Sequence, residues 1–415
     1  MKKITWIVFI ISLSSISCSS VAMYEFEQVD ALIEQEGLPD PFLRSDGSRV
    51  RSIEQWRHQR EYLKAMLVYY MYGSMPVRPK AKDVKVDRVR IESVFGEGAV
   101  KESYEVTIKR MGEEAKYRMW LIRPKGSGPW SVIVKNCKTG FDSEEDSSGT
   151  AQRDLAAARK AVSRGYLLCK FLRTDLAADT KEPQARNKGV YALYPEYSWG
   201  AITVWAWGQS VTIDVLERLG YADMDKVVVT GHSRGGQTAM AAGIFDERID
   251  VVVPCTGGFG SCGTLRLRDP DDVRGKIDYI GEVVNRQFPH WFSKRYLEFS
   301  GRENRLTFDG HTLAALIAPR PLLNTNAIDD QFNNSLSMEA GIRIGKMIYK
   351  WMGVEKWCRI HWRKGRHAQR EEDWGALLDF ADEYFYGKVE TSQYNQWQYP
   401  DMTAEIPWKV PSKYD

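Results

Sequence analysis

Val227–Gln237 reads VVVTGHSRGGQ. Three valines and a threonine suit the end of a buried strand, Ser233 follows between Gly231 and Gly235, and GGQTAMAAG after it suits a helix. A serine in G-x-S-x-G at such a junction sits on a turn so tight that the residues two before and two after it must be small. The turn lifts the hydroxyl clear of the sheet, and the helix N-terminus behind it favours negative charge. Serine is a poor nucleophile at neutral pH, so it needs exposure, a base and donors for the oxyanion. The junction supplies the exposure and turns the backbone N–H of Arg234 toward the oxyanion. The plainer alternative is a tight structural turn, and the two readings separate on whether partners exist downstream.

Working outward, short apolar runs alternate with helical stretches. SVIVKN (131–136) is followed by RDLAAARKAVSRG, YLLCKF by AITVWAWGQSVTIDVLERLG, and KVVVTG by the helix after Ser233; RIDVVVP, RPLLNTNA and CRIHW are further strands. Strands alternating with helices imply a parallel sheet covered on both faces. From Val84 to Ile122 the pattern changes to alternation (VKVDRVRI, SYEVTIKR, YRMWLIR), which predicts antiparallel strands at a sheet edge. Earlier still, Ser52 to Gln55 form a capping-box start to a helix carrying Trp56, Leu63, Met66, Leu67 and Tyr70, which stops at Gly73 and Pro76. The expected architecture is a doubly wound, mainly parallel α/β sheet with antiparallel N-terminal strands, an α/β-hydrolase fold of three layers. A single catalytic domain over 23–415 accounts for the whole pattern.

A chain of 415 residues with 43% hydrophobic and 27% charged residues can bury a large core. Its net charge of +3, without a basic block interleaved with aromatics, sets nucleic acid aside as a partner. Fourteen Trp and twenty Tyr offer faces for stacking on sugar rings, although most large aromatics are core residues. MKKITWIVFIISLSSISCSSVA at the start has the charged, apolar and small-residue regions of an export signal over residues 1–22. Cleavage after Ala22 and acylation of Cys18 as a lipoprotein both fit, giving a periplasmic, secreted or outer-membrane-tethered protein. The remaining cysteines, Cys137, Cys169, Cys255, Cys262 and Cys358, lack metal-ligand spacing and read as buried thiols, with one disulfide possible. Neither a metal nor a cofactor is expected, and a monomer is.

A triad in this fold runs in the order serine, acid, histidine. His290, His311, His361 and His367 follow Ser233. His367 lies in KGRHAQREEDW, in the loop leaving the last strand, from which a base can reach back over the sheet; His361 is on that strand and His311 opens a helix. The acid belongs after PLLNTNA, where Asp329 and Asp330 stand side by side. Its task is to orient the imidazole and stabilise it when charged.

Several longer pieces carry a resemblance: SWGAITVWAWG (198–208), TGHSRGG (230–236), FPHWF (288–292), FDGHTLAALIAPRPLL (308–323) and HAQREEDWGALLDFAD (367–382). Together with the early WRHQREYL…YMYG helix they span nearly all of the chain, in order, and they resemble carbohydrate esterase family 15, the glucuronoyl esterases. The resemblance implies that Ser233 is the nucleophile, that Arg234 holds the oxyanion with its side chain as well as its backbone, and that His367 is the base. Some members carry an acid after the strand that follows the nucleophile helix, where this chain has VVVPCTGGFGSCG and no carboxylate. The family's A-x-x-D-x-W pattern then aligns Asp330 better than Asp329. Trp291 matches a tryptophan that packs on the uronate ring, and Glu282 corresponds to a glutamate that binds sugar hydroxyls.

Two departures stand out. The family's lysine at the end of GCSRxGK, which binds uronate hydroxyls, is Gln237 here, and its cysteine before the serine is His232. Glutamine can still bond a hydroxyl but brings no charge. The expected activity is hydrolysis of a hexuronic acid ester in plant polysaccharide, with the polysaccharide or an oligosaccharide as the partner. An acetylxylan-type deacetylase on the same fold is a second enzyme reading. A catalytically dead carbohydrate-binding homologue is a third, against which the complete serine, acid and histidine set argues.

Overall fold

The computed structural model describes residues 24–141, 149–267, 280–389 and 392–412; residues 1–22, expected to be an export signal, and Cys18 within them lie outside the described residues. Among the described residues nine strands form one sheet in the order β1-β2-β3-β5-β4-β6-β7-β8-β9. They are β1 (Val84–Val94), β2 (Ala99–Arg110), β3 (Glu113–Pro124), β4 (Trp130–Cys137), β5 (Tyr166–Leu172), β6 (Ala222–His232), β7 (Val251–Cys255), β8 (Leu322–Ala327) and β9 (Cys358–Arg363). The alternating segment pairs antiparallel as β1 to β2 to β3, β3 joins β5 antiparallel, and the rest of the sheet is parallel. The chain winds outward from β4 to β5 and returns to β6 on the other side of β4, so the strand order reverses beside β4 and β6. In open α/β sheets the ligand crevice lies at such a reversal, outside the carboxyl ends of the strands.

The helix Ala201–Leu219 is buried on nearly every side, 15 of its 19 residues, as expected of a helix that is apolar all round. Its tryptophans are tied by their indole N–H groups: Trp205 donates to the carbonyl of Ala177 (2.9 Å) and Trp207 to that of Pro76 (3.1 Å). Ser52 caps the helix Ile53–Leu67 by accepting from the Gln55 backbone, and the chain continues as a π turn to Gly73. There φ is 77°, and a β-carbon would lie 2.0 Å from the Ser198 carbonyl oxygen, so only glycine fits. The five described cysteines are all buried and free, which removes the disulfide allowed by the sequence. No helix among the described residues is long and apolar enough to cross a membrane.

Asp250, just before β7, accepts the backbone N–H of Val227 (2.8 Å), and burial pushes its carboxyl up to about 6 despite that bond. A carboxyl raised above its unfolded value adds stability while protonated and loses it as pH rises through the folded value. Asp250→Asn, which retains an acceptor for Val227, is therefore expected to raise the melting temperature at pH 8 and to change it little at pH 4, a comparison that calorimetry at the two pH values makes directly.

Candidate active site

Gly231 and Gly235 cross at van der Waals contact. A β-carbon on Gly231 would meet the Gly235 carbonyl oxygen at 2.2 Å, and one on Gly235 would meet Asn136 Oδ1 at 2.7 Å. Between them Ser233 is forced to φ 57° and ψ −126°, a strained conformation for a residue with a side chain. Strain of this kind costs of order 1–3 kcal/mol and persists only where the surroundings over-determine it. Here the Ser233 N–H is held by the Cys255 carbonyl (2.9 Å), the Ser233 carbonyl takes the N–H groups of Gly236 and Gln237, and Asn136 donates to the Gly235 carbonyl (2.9 Å).

His367 and Asp330 come from the loops after β9 and β8, on the same edge of the sheet. The His367 ring nitrogen Nδ1 lies 2.8 Å from Asp330 Oδ2, and the carboxylate is buried. Asp330 also accepts from the Phe332 backbone (2.8 Å) and from the Asn333 amide (2.9 Å), which bonds the Thr256 carbonyl (2.9 Å) at the end of β7. That strand end carries no acid, and its carbonyl instead helps to hold the acid of the next strand. Asp329 points the other way: its carboxylate accepts from the Gly365 N–H (2.9 Å) on the exposed side of the loop. The structure thus brings Asp330, and not its neighbour, to the imidazole.

The loop that carries His367 is fixed from beneath. The buried guanidinium of Arg363 donates to the carbonyls of Lys364, Arg366 and Ala368 and pairs with Asp373 (2.5 Å) in the first turn of the last helix. Gln369 reaches across to Thr230 Oγ1 on β6 (3.2 Å). The HAQREED segment therefore serves as a brace as well as the carrier of the histidine. His232 packs its ring against His367, with centroids 4.5 Å apart. Burial, then the neighbouring His367, Lys135, Arg363 and Arg173, hold its imidazole well below the usual histidine range, so it stays neutral. His361 bonds the Gln393 carbonyl (3.0 Å) and His311 that of Pro39 (2.9 Å), both structural roles.

Arg234, the residue after the serine, turns its guanidinium onto Asp179 Oδ2 (2.7 Å) and lies over the rings of Trp291 (4.6 Å) and Phe288 (4.8 Å). Trp291 is packed within the protein. The residue is 4% exposed, its ring is stacked flat on Phe288 at 4.1 Å, and its indole N–H bonds Asp179 (3.2 Å), so in this structure its contacts are with the protein. Gln237 sits one turn beyond Ser233 with 5% of its surface exposed, against the backbone of Gly260. Glu282 stands exposed on the turn Ile280–Asn285, and none of the described contacts ties it to Arg234, Trp291 or His367.

Sequence reasoning missed two residues here. Phe332 is 61% exposed with its ring 5.0 Å from that of His367, an unusual place to leave a phenylalanine in water. Its signal was its position two residues after the acid. Asp179, in the loop after β5, gathers Arg234, His290 (3.0 Å) and Trp291, with Arg173 at 3.9 Å. Burial raises its carboxyl, but the His290 bond and the two guanidinium groups outweigh that and hold it well below the usual carboxylate range. Its only signal was an acidic residue in a loop at the carboxyl edge of the sheet, where site residues gather.

A serine on a strained strand-to-helix elbow at the reversal point of a doubly wound sheet, with an acid-anchored imidazole over the same edge, defines the class as α/β-hydrolase. A family model described as "Glucuronyl esterase, fungi" matches residues 106–353, more than half of the chain. The chain belongs to the glucuronoyl esterase family, a family of carboxylic-ester hydrolases. It is 28% identical to carbohydrate esterase MZ0003 from an unknown prokaryotic organism, over 88% of this chain and 93% of that protein. It is 27% identical to a 4-O-methyl-glucuronoyl methylesterase of Phanerochaete carnosa, over 90% of this chain and 85% of that one. Among solved structures it is similar to a family 15 glucuronoyl esterase from Caldicellulosiruptor kristjansonii, with 28% identity and a TM-score of 0.70 over 91% of this chain and all of that one. A glucuronoyl esterase from Solibacter usitatus shares the fold with a TM-score of 0.74 at 24% identity, over 86% of this chain and all of that one.

Proposed function

We propose that the protein hydrolyses esters of a hexuronic acid in plant cell-wall polysaccharide, with Ser233 as nucleophile, His367 as base and Asp330 as its anchor. The observation that carries this reading is the strained Ser233 elbow beside an imidazole locked 2.8 Å from a buried carboxylate. The hydroxyl oxygen of Ser233 bonds to the ester carbonyl carbon as its proton passes to His367. The Arg234 backbone N–H and guanidinium meet the charge that collects on the carbonyl oxygen. His367 returns the proton to the leaving alcohol as the ester C–O bond breaks, and water, activated by the same imidazole, then releases the uronate from Ser233. The relatives named glucuronoyl and 4-O-methyl-glucuronoyl esterases support uronate as the acyl group. On this reading residues 1–22 export the chain, free or lipid-tethered at Cys18, and 23–415 form one monomeric catalytic domain.

The discriminating experiment compares methyl and benzyl esters of glucuronic acid with p-nitrophenyl acetate. Uronate ester turnover is expected, and acetate turnover alone would overturn the reading in favour of a deacetylase. Phe332 offers an exposed apolar ring 5.0 Å from that of His367, a contact face for substrate next to the base. Phe332→Ala is expected to lower kcat/KM for the uronate esters by about tenfold, chiefly through KM, since the apolar contact it removes is worth about 1–1.5 kcal/mol. In steady-state kinetics, an unchanged KM would place the substrate elsewhere. Gln237→Lys, run on the same esters, asks whether a charge beneath Gly260 improves glucuronate turnover; a gain would mean that the natural uronate differs from the family's usual one.

A further inference from the structure

The FPHWF motif does not feed the chemistry directly, yet three of its ring side chains, His290, Trp291 and Phe288, surround the Arg234 side chain or the carboxylate it pairs with. Asp179 is the common partner. One of its oxygens takes the Arg234 guanidinium (2.7 Å), and the other takes both the Trp291 indole N–H (3.2 Å) and the His290 ring nitrogen Nε2 (3.0 Å). Its loop is pinned in turn, because Trp205 of the buried helix donates to the carbonyl of Ala177 two residues earlier (2.9 Å). Arg173, buried and lying over Trp205 at 5.0 Å, stands behind the carboxylate at 3.9 Å. Two guanidiniums, of Arg234 and Arg173, against the one carboxylate of Asp179 give the cluster a net positive charge, the sign an oxyanion requires.

A free arginine side chain carries about 2 kcal/mol of rotamer entropy, and oxyanion donors act well only when they are already in place before charge develops. The Arg234 guanidinium has five N–H donors, so one bond to Asp179 leaves others for a ligand. We propose that Asp179 is a positioning residue: through its pair with Arg234, backed by His290 and Trp291, it holds the guanidinium in place for the oxyanion formed at Ser233. This rests on the reading of Ser233 and Arg234 given above. Trp291 then belongs to the oxyanion machinery as its support.

A double-mutant cycle tests it. Asp179→Asn keeps the shape of the side chain and removes its charge, and is expected to lower kcat on the methyl ester of glucuronic acid by about 10- to 100-fold with a smaller change in KM. In an Arg234→Ala background the same substitution is expected to change kcat less than about twofold, because its effect travels through Arg234. Two losses that multiply would overturn the proposal and leave Asp179 a structural residue. Melting curves of all four proteins show whether each folds. If Asp179→Asn does not, Trp291→Phe replaces it in the cycle, since it keeps the ring and removes one donor to Asp179; an unchanged kcat there would equally overturn the proposal. p-Nitrophenyl acetate is run in parallel. If wild type turns over acetate alone, the uronate reading fails while the cycle is still read on acetate, and if it turns over neither ester both readings fall.

Discussion

Ser233→Ala is expected to lower kcat on uronate esters by about 10⁴- to 10⁶-fold while leaving the melting temperature within a few degrees of wild type. The loss is large because the covalent route closes altogether: without the hydroxyl, His367 has no nucleophile to activate, and only substrate binding and the oxyanion donors remain. The fold is spared because everything that holds the elbow acts on its backbone. The Cys255 carbonyl, Gly236, Gln237 and Asn136 bond main-chain groups of residues 233 and 235, and alanine keeps them all. Rates are measured with the methyl ester of glucuronic acid, and folding by circular dichroism. Activity that survives this substitution on every ester tried would mean that the elbow is only a tight turn.

The second large effect is expected at Asp330. Asp330→Asn is expected to cost about 10³- to 10⁴-fold in kcat, since an amide cannot stabilise the imidazolium and can hold the wrong tautomer of His367. The neighbouring substitution Asp329→Asn serves as the control. Among the described residues the Asp329 carboxylate accepts the Gly365 N–H on the exposed side of the loop, which asparagine can also do, so a change of less than about threefold is expected. Kinetics of the two variants side by side separate the roles, and a larger loss at Asp329 would mean that the acid has been assigned to the wrong residue. Asn333 would retain its bond to Thr256 in both, so a difference between them reports on His367 rather than on the loop.

Much of this molecule was legible in its sequence, for identifiable reasons. The alternation of apolar runs with helical stretches located every strand of the parallel sheet, because burial on two faces imposes a continuous apolar run and burial on one imposes a period of two. The three antiparallel strands at the edge were visible for the same reason. Asp329 and Asp330 could not be separated by residue type, since consecutive residues in a turn point to opposite sides and both are aspartates. The packing of Trp291 was not legible because an aromatic side chain announces a large apolar face without saying what will cover it, and here Phe288 does. Phe332 drew no notice because a single phenylalanine in a polar loop has no periodic pattern to interrupt.

What the sequence by itself determined is the elbow and the order of the layers. Gly231, Ser233 and Gly235 meet through contacts a few residues apart, and the periodicity of each strand and helix is likewise local, so both can be read from neighbours. Only the tertiary structure decided which side chains face one another at the site. His367 meets Asp330 across 37 positions, Arg234 meets Asp179 across 55, and Trp291 meets Asp179 across 112. Such pairings depend on where loops from different strands converge at one edge of the sheet, which no window of sequence contains. The proposed nucleophile and its partners His367 and Asp330 could therefore be named from local motifs and a family resemblance, while Asp179, which gathers Arg234, His290 and Trp291, had to be found in space.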